Sequence, residues 1–540
     1  MIPVGKKLFN RTLYLKRLQR LRLYRRLFRL NRRIAAHSHP DQREKSVVFF
    51  NASARLEGLN QNAAFSLLAS WGVQLAGREV IHFACRSGMS HCVLGAGLGD
   101  PTAPPPCRGC IADTRWFTGA APSEWFEFQE DPPLRSLIEE LPVQELQEFY
   151  YQNRPLGQLV LPSLRWILRR HHLRDDRLTR YLYREFILSA HNVAEKFSAL
   201  LKRHEPAVVV VFNGLQYPEA VVRREAKQRQ IRVITHEVNL RPFSAFFTEG
   251  QATIYPMNIP DSFQLNENQQ SKLDSYLEKR FQGDFTMAGI KFWSEINQLP
   301  DWFIQKINQY QAVVPVFTNV IFDTSQAHAN TIFTDMFAWL ERVLEAAARH
   351  PETLFVIRAH PDEIREGKRS QETVSSWVDA HGIAHLPNVI FIAPDESFSS
   401  YELIRRSKFT LVYNSSIGLE ATLLGCPVLC AGRARYTQYP TVFYPQSLPA
   451  YTKQLEELLT VESIELPEEH LRNARRFLYF QLFRASLSFE DFLTDHVTPG
   501  YVQLKNFPWR KLQPGETAVI DCLVKGILDG DEFVLEKDQE

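Results

Sequence analysis

Two separated stretches of this chain alternate short, almost wholly apolar runs with helix-length segments, and that alternation constrains the fold more than any other feature. In the first stretch, residues 47–51 (Val-Val-Phe-Phe-Asn), 79–85, 207–212 (Ala-Val-Val-Val-Val-Phe) and 231–235 read as strands. In the second, residues 312–317, 353–357, 409–412 and 428–430 do so. Strands apolar on both faces belong to parallel sheets, because the crossovers that connect parallel neighbours lay helices over both sides. The expected class is therefore α/β, built on two sheets. A chain of 540 residues with 44% hydrophobic content has the material for two to four cooperating units.

The spacing of these runs predicts a basic leader over 1–45, an N-terminal α/β domain over 46–300 with a helical insertion at 130–205, a second α/β domain over 301–480, and a C-terminal helical return and tail over 481–540. Residues 261–310, rich in Asn and Gln turns, read as the crossover between the domains.

The leader stands apart by charge. Residues 1–46 hold fourteen Lys and Arg against Asp41 and Glu44, so a net charge of +2 leaves the body of the chain at about −10. An acidic body argues against nucleic acid as a partner. Leu8, Leu15, Leu18, Leu21, Leu23, Leu27 and Leu30 recur at helical spacing among the arginines, as in an amphipathic helix that lies on an anionic membrane or docks on protein. No run of apolar residues is long enough for a spanning helix, and arginines interrupt what would be the core of a signal peptide. The expected location is cytoplasmic, peripheral on the inner face of the cytoplasmic membrane.

Four of the seven cysteines, Cys85, Cys92, Cys107 and Cys110, fall within 26 residues. One Cys-x-x-Cys pair with a second, looser Cys-x6-Cys pair is compatible with a zinc or iron–sulfur site, with a redox pair, or with loop packing and no metal. The loose spacing favours the last. His171, His172 and His191 lack acidic or thiol partners at a recognised metal spacing and read as surface or packing residues.

Candidate chemistry gathers at strand ends, where open α/β sheets bind ligands. Asn213-Gly214 and His236-Glu237 end two strands of the first domain, and His236 and Glu237 are both capable general bases. Arg358 and His360 alternate at the end of residues 353–357, and Pro361 turns the chain away. The run Tyr413-Asn414-Ser415-Ser416-Ile417-Gly418-Leu419-Glu420 leads from a buried strand into a helix. Ser415, Ser416 and the helix start can take a phosphate, Gly418 permits close backbone approach, and Glu420 can accept hydrogen bonds from vicinal hydroxyls. The same pattern also serves as a simple helix cap. No Gly-x-Gly-x-x-Gly or Gly-x-x-x-x-Gly-Lys motif is present.

Arg358-Ala359-His360-Pro361-Asp362-Glu363, followed by Asn414-Ser415-Ser416-Ile417-Gly418-Leu419-Glu420-Ala421 and Gly425-Cys426-Pro427-Val428, resembles bacterial capsule and surface-polysaccharide biosynthesis glycosyltransferases over about residues 310–445. The resemblance implies a GT-B-like enzyme, two Rossmann-like domains facing a cleft, with helical additions. It places His360 near the donor phosphate, Ser415 and Ser416 on it at the helix entrance, and Glu420 on the nucleotide sugar; Arg358 and Asn414, beside these in the sequence, are further candidates for donor binding. Glu237 is the expected base, with His236 and Asp323 as alternatives. The implied reaction moves a sugar from a nucleotide-activated donor to a carbohydrate or lipid-linked glycan, without an obligatory metal or a tightly bound cofactor, in the company of polysaccharide assembly proteins. The branch containing capsule Kdo transferases shares the His-Pro and Ser-x-x-Gly-x-Glu features, which makes CMP-Kdo a candidate donor. The competing readings are a CDP-polyol phosphotransferase and a non-catalytic glycan-binding assembly protein.

Overall fold

The structure, a computed structural model, describes residues 4–51, 58–93, 100–282, 285–287, 290–292, 298–367, 369–396 and 398–536, with side chains of the first helix from residue 15 onward.

The first sheet runs, edge to edge, Leu487–Ser488, Ser244–Glu249, Arg232–Val238, Val208–Phe212, Val47–Asn51, Val80–Cys85 and Ser123–Phe126. Its last five strands are parallel and the first two are antiparallel additions. The second sheet is parallel throughout, in the order Val389–Ile392, Thr353–Arg358, Ala312–Phe317, Thr410–Val412, Val428–Cys430. Counted along the chain, the parallel strands of each sheet follow the order 3-2-1-4-5, the doubly wound Rossmann order. Both sheets therefore have a switch point, where crossovers leave in opposite directions and the carboxyl ends of two strands open a crevice. The fold is α/β, as the alternation of apolar runs implies, and its two doubly wound sheets are the two Rossmann-like units that the resemblance implies for a GT-B-like protein.

Each sheet is buried on both faces. Against the first sheet, Val48, Phe50 and Val209 pack under Leu156–Leu168, Arg177–His204 and Glu219–Gln228, while Val47, Phe49 and Val210 pack under Gln61–Leu75 and Ala518–Leu528. The apolar core on one face of the second sheet also contains Phe246, Ala252 and Tyr255 from the end of the first domain, so the domains share a continuous contact. A second contact lies across the helical insertion. The His172 ring is 3.3 Å from Asp335 and 2.5 Å from Glu372, and these hydrogen bonds hold it protonated, its pKa pushed up to about 10. His172 thus clips the insertion to the second domain, and His191 pairs with Asp131 at 3.1 Å. The chain finally returns: after Glu468–Phe483, strand Leu487–Ser488 joins the first sheet and Ala518–Leu528 packs on Gln61–Leu75.

The leader forms the helix Val4–His37. Leu23, Leu27, Leu30 and Ile34, at i, i+4, i+7 and i+11, bury one stripe in the first domain. Arg20 lies 2.8 Å from the fully buried Asp113, to which the Tyr24 hydroxyl also donates. Protein docking thus accounts for one face of the helix. The opposite face carries Leu21 and Phe28, 56% and 51% exposed, among Arg17, Arg25 and Arg32. No described helix is long and apolar enough to cross a membrane.

Candidate functional site

At the switch point of the second sheet, the chain leaving Phe317 and the chain leaving Val412 diverge and a polar cavity of about 160 Å³ opens between them. It is lined by Asn319, Asp323, Ser325, His328, His360, Asn414, Ser415 and Ser416, then by Arg433 to Tyr436, with Thr253 and Ile254 closing it from the first domain. The regions around 360 and 415, more than fifty residues apart in sequence, thus converge because their strands are neighbours of the same central strand.

His360 follows the carboxyl end of Thr353–Arg358. Its Nδ1 accepts the Asp362 amide at 3.1 Å, capping the short turn Pro361–Ile364, so the proton of the neutral ring is assigned to Nε2. Burial lowers the His360 pKa, against the opposing pull of Asp362 and Asp323, and the neutral ring presents an N–H donor at neutral pH. Asn414 is fixed by the Gln326 side-chain amide, 2.8 Å from its Oδ1. Asp323 caps the turn Thr324–His328, accepting the Ser325 hydroxyl at 2.8 Å. His328 faces Thr253 across the cleft at 3.0 Å, and burial lowers its pKa to about 4.

Positive charge comes from Arg433 and Arg435, in the loop after Val428–Cys430. The Arg435 guanidinium stacks over Tyr255 at 4.4 Å, and Gln438 and Tyr439 bind the backbone of Tyr255, Met257 and Ile259, so this loop is fastened to the segment that closes the cavity. Arg433, Arg435 and His328 do not stand out in the sequence motifs. The signal was available: Arg433-Ala434-Arg435 follows the carboxyl end of a strand as directly as His360 does.

Four sequence-derived candidates lie elsewhere. Arg358 is buried with its guanidinium on the carbonyls of Ala393 (2.7 Å) and Glu396 (2.9 Å); the strand ends at Arg358, and beyond it the alternation that would align it with His360 is lost. Glu420 is buried in an ion pair with Arg280 at 2.7 Å and accepts the Tyr401 hydroxyl at 2.5 Å, so it faces the helix Glu267–Phe281 instead of the cavity. His236 is buried in the first sheet, stacked on Phe247 with ring centroids 4.9 Å apart. Glu237 accepts from its neighbour's amide, Val238, at 2.9 Å and from Asn213 at 3.2 Å, and does not line the cavity.

The helix Ile417–Leu423 has only seven residues, and the Ser416 hydroxyl makes no capping bond to it. Gly418 does permit a close approach, but by Tyr436: a Cβ at Gly418 would meet the Tyr436 oxygen at 2.4 Å and Val412 Cγ2 at 3.0 Å, while that oxygen donates to the Ser415 carbonyl at 2.7 Å. Gly418→Ala is therefore expected to lower stability by about 1–3 kcal/mol through overpacking, read as a fall in melting temperature, with Tyr436→Phe recovering part of it. An unchanged melting temperature would contradict this packing.

Cys85 and Cys92 are buried and Cys107 and Cys110 half-buried, and no disulfide joins any of them. Among the described residues the metal-ligating groups gathered within 4.8 Å are His171, His172 and Asp335, already engaged in the interdomain clip, so the four thiols are not drawn into a tight tetrahedral zinc set.

Residues 297–449 match the model of a family described as capsule polysaccharide biosynthesis protein. This span holds both segments on which the resemblance rests, and the resemblance holds there. Protein FixF of Sinorhizobium fredii strain NGR234 is 27% identical over 273 residues, 51% of this chain, and the chain spans 58% of that relative's length. Among solved structures, KpsC beta Kdo 2,4 transferase of Thermosulfurimonas dismutans is 13% identical with a TM-score of 0.33, covering 59% of this chain and 87% of its own. Sucrose-phosphate synthase of Thermosynechococcus elongatus is 10% identical with a TM-score of 0.27, covering 81% and 94%. At these scores the fold rests on the strand order of the two sheets themselves.

Proposed function

We propose that this chain transfers a sugar from a nucleotide-activated donor to a surface-polysaccharide or glycolipid acceptor. The observation that carries the proposal is the convergence of His360, Ser415, Ser416, Arg433 and Arg435 on one cavity at a switch point. At about 160 Å³ it is too small for a whole nucleotide sugar and suits the phosphate with the adjoining part of the sugar, the remainder lying in the open cleft. The family match over 297–449 supports a place in capsule or surface-polysaccharide synthesis.

In this reading the acceptor hydroxyl attacks the anomeric carbon while the bond from that carbon to the phosphate oxygen breaks. Arg433 and Arg435 balance the charge that develops on the leaving phosphate, and His360 Nε2–H and the two serine hydroxyls donate to it. The arginines supply positive charge where a metal would otherwise be needed. Asp323 lines the cavity and is assigned the acceptor proton, with Glu237 on the acceptor side as its competitor. CMP-Kdo is the first donor to try.

The test is incubation with a panel of nucleotide sugars and CDP-polyols plus free and lipid-linked glycans, with product linkage read by mass spectrometry and NMR. A glycosidic product is expected. A phosphodiester product would assign the chain to polyol-phosphate transfer, and tight glycan binding without nucleotide release to an assembly protein.

The outward face of the leader suits an anionic membrane, its Leu21 and Phe28 entering the headgroup boundary and Arg17, Arg25 and Arg32 meeting phosphates. Leu21→Glu with Phe28→Glu is expected to abolish co-sedimentation with phosphatidylglycerol vesicles while leaving the melting temperature unchanged, because neither side chain is in the core. Undiminished co-sedimentation would reject the membrane role.

A further inference from the structure

The loop after the helix Leu156–Leu168 carries His171 and His172 and meets the second domain where the helix Met336–Arg349 begins. The sequence around these histidines offers no metal partner, because the two carboxylates they meet, Asp335 and Glu372, come from the other domain. Backbone bonds hold the junction in place. The Gln371 amide donates to the Arg169 carbonyl at 2.9 Å, and Glu372 Oε2 accepts the amides of His171 and His172 at 2.9 and 3.1 Å. Arg165 donates to the His171 carbonyl at 3.0 Å, which ties the loop back to its own helix.

Glu372 Oε1 lies 2.5 Å from His172 Nδ1, which assigns a proton to Nδ1 and turns Nε2 toward Asp335. A carboxylate on the far nitrogen is the outer contact that fixes the tautomer and orientation of a metal-binding histidine. Asp335 is held as firmly. Its Oδ1 caps the helix, accepting the amides of Phe337 and Ala338 at 2.8 and 3.1 Å, and its Oδ2, with the Thr334 hydroxyl 3.3 Å away, faces His172. His172 Nε2 and Asp335 Oδ2 are 3.3 Å apart. That is long for a charge-assisted hydrogen bond, usually about 2.7–2.9 Å. It matches a tetrahedron of zinc ligands, in which bonds of about 2.0 Å to imidazole and carboxylate set neighbouring donor atoms about 3.3 Å apart. A ring nitrogen of His171 completes the group, since the three ligand atoms all lie within 4.8 Å of one another. His171 is only 7% exposed, and among the described residues its ring nitrogens have no hydrogen-bond partner; the ring stands edge-on to that of His172. With both imidazoles neutral, Asp335 and Glu372 together balance a divalent ion, and the Arg165 guanidinium on the loop's carbonyl is the opposing cation.

We propose that His171, His172 and Asp335 bind a zinc ion, with Glu372 as the outer carboxylate, and that the metal bridges the helical insertion of the first domain to the second domain. Water takes the fourth position, and the His172 side chain, 55% exposed, leaves the site open to solvent. Loading displaces the Nε2 proton of His172 to solvent, and no redox step is involved. None of these four residues lines the cavity that holds His360 and Ser415, so the zinc stands apart from the transfer reaction.

The test is zinc titration of the full chain after chelator treatment, with bound metal counted per chain and circular dichroism confirming that each variant is folded. One zinc per chain is expected. Asp335→Asn, which keeps a capping oxygen while removing the charge, and His171→Ala should each abolish stoichiometric uptake. Glu372→Gln should weaken affinity about 10–100-fold, the usual cost of altering an outer-shell partner. Cobalt(II) added to the unaltered chain makes the result independent of how the variants fold. Tetrahedral nitrogen and oxygen ligation gives visible d–d bands that zinc displaces, without the near-ultraviolet charge-transfer band of a thiolate. Absence of stoichiometric zinc would overturn the proposal. So would a cobalt–thiolate band, or uptake unchanged in either Asp335→Asn or His171→Ala, because the metal would then sit on other groups.

Discussion

His360→Ala is expected to lower the transfer rate by about 10²–10³-fold, the usual effect of removing one preorganised donor to a developing negative charge. The ring is neutral, with its Nδ1 engaged by the Asp362 amide and its Nε2–H assigned to the cavity. The role proposed for it is therefore donation of a hydrogen bond, not titration. Two consequences separate this from a structural role. His360→Gln, which restores an N–H at a similar reach, should recover part of the rate, whereas a group that acted only by capping Pro361–Ile364 would not be rescued this way. Since the folded-state pKa is lowered, the donor form is present throughout neutral pH, and the rate should show no His360-dependent fall as pH rises from 7 to 9. Loss of the cap alone costs about 0.5–2 kcal/mol of stability, so unfolding is measured in parallel. Turnover within twofold of wild type in His360→Ala would remove the cavity from the mechanism.

Glu420→Ala is expected to destabilise the fold by about 3–5 kcal/mol, the cost of stranding one partner of a buried ion pair. Arg280 and Glu420 meet at 2.7 Å, both with side chains less than a tenth exposed, and Tyr401 donates to the same carboxylate. The pair joins the helix Glu267–Phe281 to the helix Ile417–Leu423, 140 residues later in the chain. Replacing both members together with apolar residues, Arg280→Met with Glu420→Leu, should cost far less than Glu420→Ala alone, because no buried charge is left unpaired. Urea denaturation of the three variants decides this. If Glu420→Ala instead keeps its stability and loses donor affinity, Glu420 is a sugar ligand and the ion pair is incidental.

Glu420 also shows where reading the sequence stops. Its place in the first turn of a helix was legible, because Tyr413 to Gly418 spells a strand running into a helix start. Its orientation was not, because Arg280 lies in a segment whose polar composition gives no hint of a partner so far along the chain. The strands were legible for a simple reason: burial on both faces demands unbroken apolar runs, and few other structures tolerate them. His360, Asn414, Ser415 and Ser416 were found by the rule that ligands meet strand ends, and the same rule applied to Val428–Cys430 would have reached Arg433 and Arg435. Arg358 misled because alternation was extended past the residue where the strand stops. The leader's helical period was plain, while the stripe that docks, Leu23 to Ile34, could be told from the stripe left outside only once Asp113 and the first-domain core were in place.

The C-terminal return makes the second domain a guest within its neighbour. The first domain is built from both ends of the chain, since Leu487–Ser488 extends the sheet begun by Val47–Asn51 and Ala518–Leu528 covers the helix Gln61–Leu75. The chain leaves that host after Ser244–Glu249 and comes back to it at Leu487–Ser488, so two strands of polypeptide cross the junction. A single tether leaves two halves free to swivel; a double one limits that freedom and keeps Thr253 and Ile254 facing the cavity at the end of the second sheet.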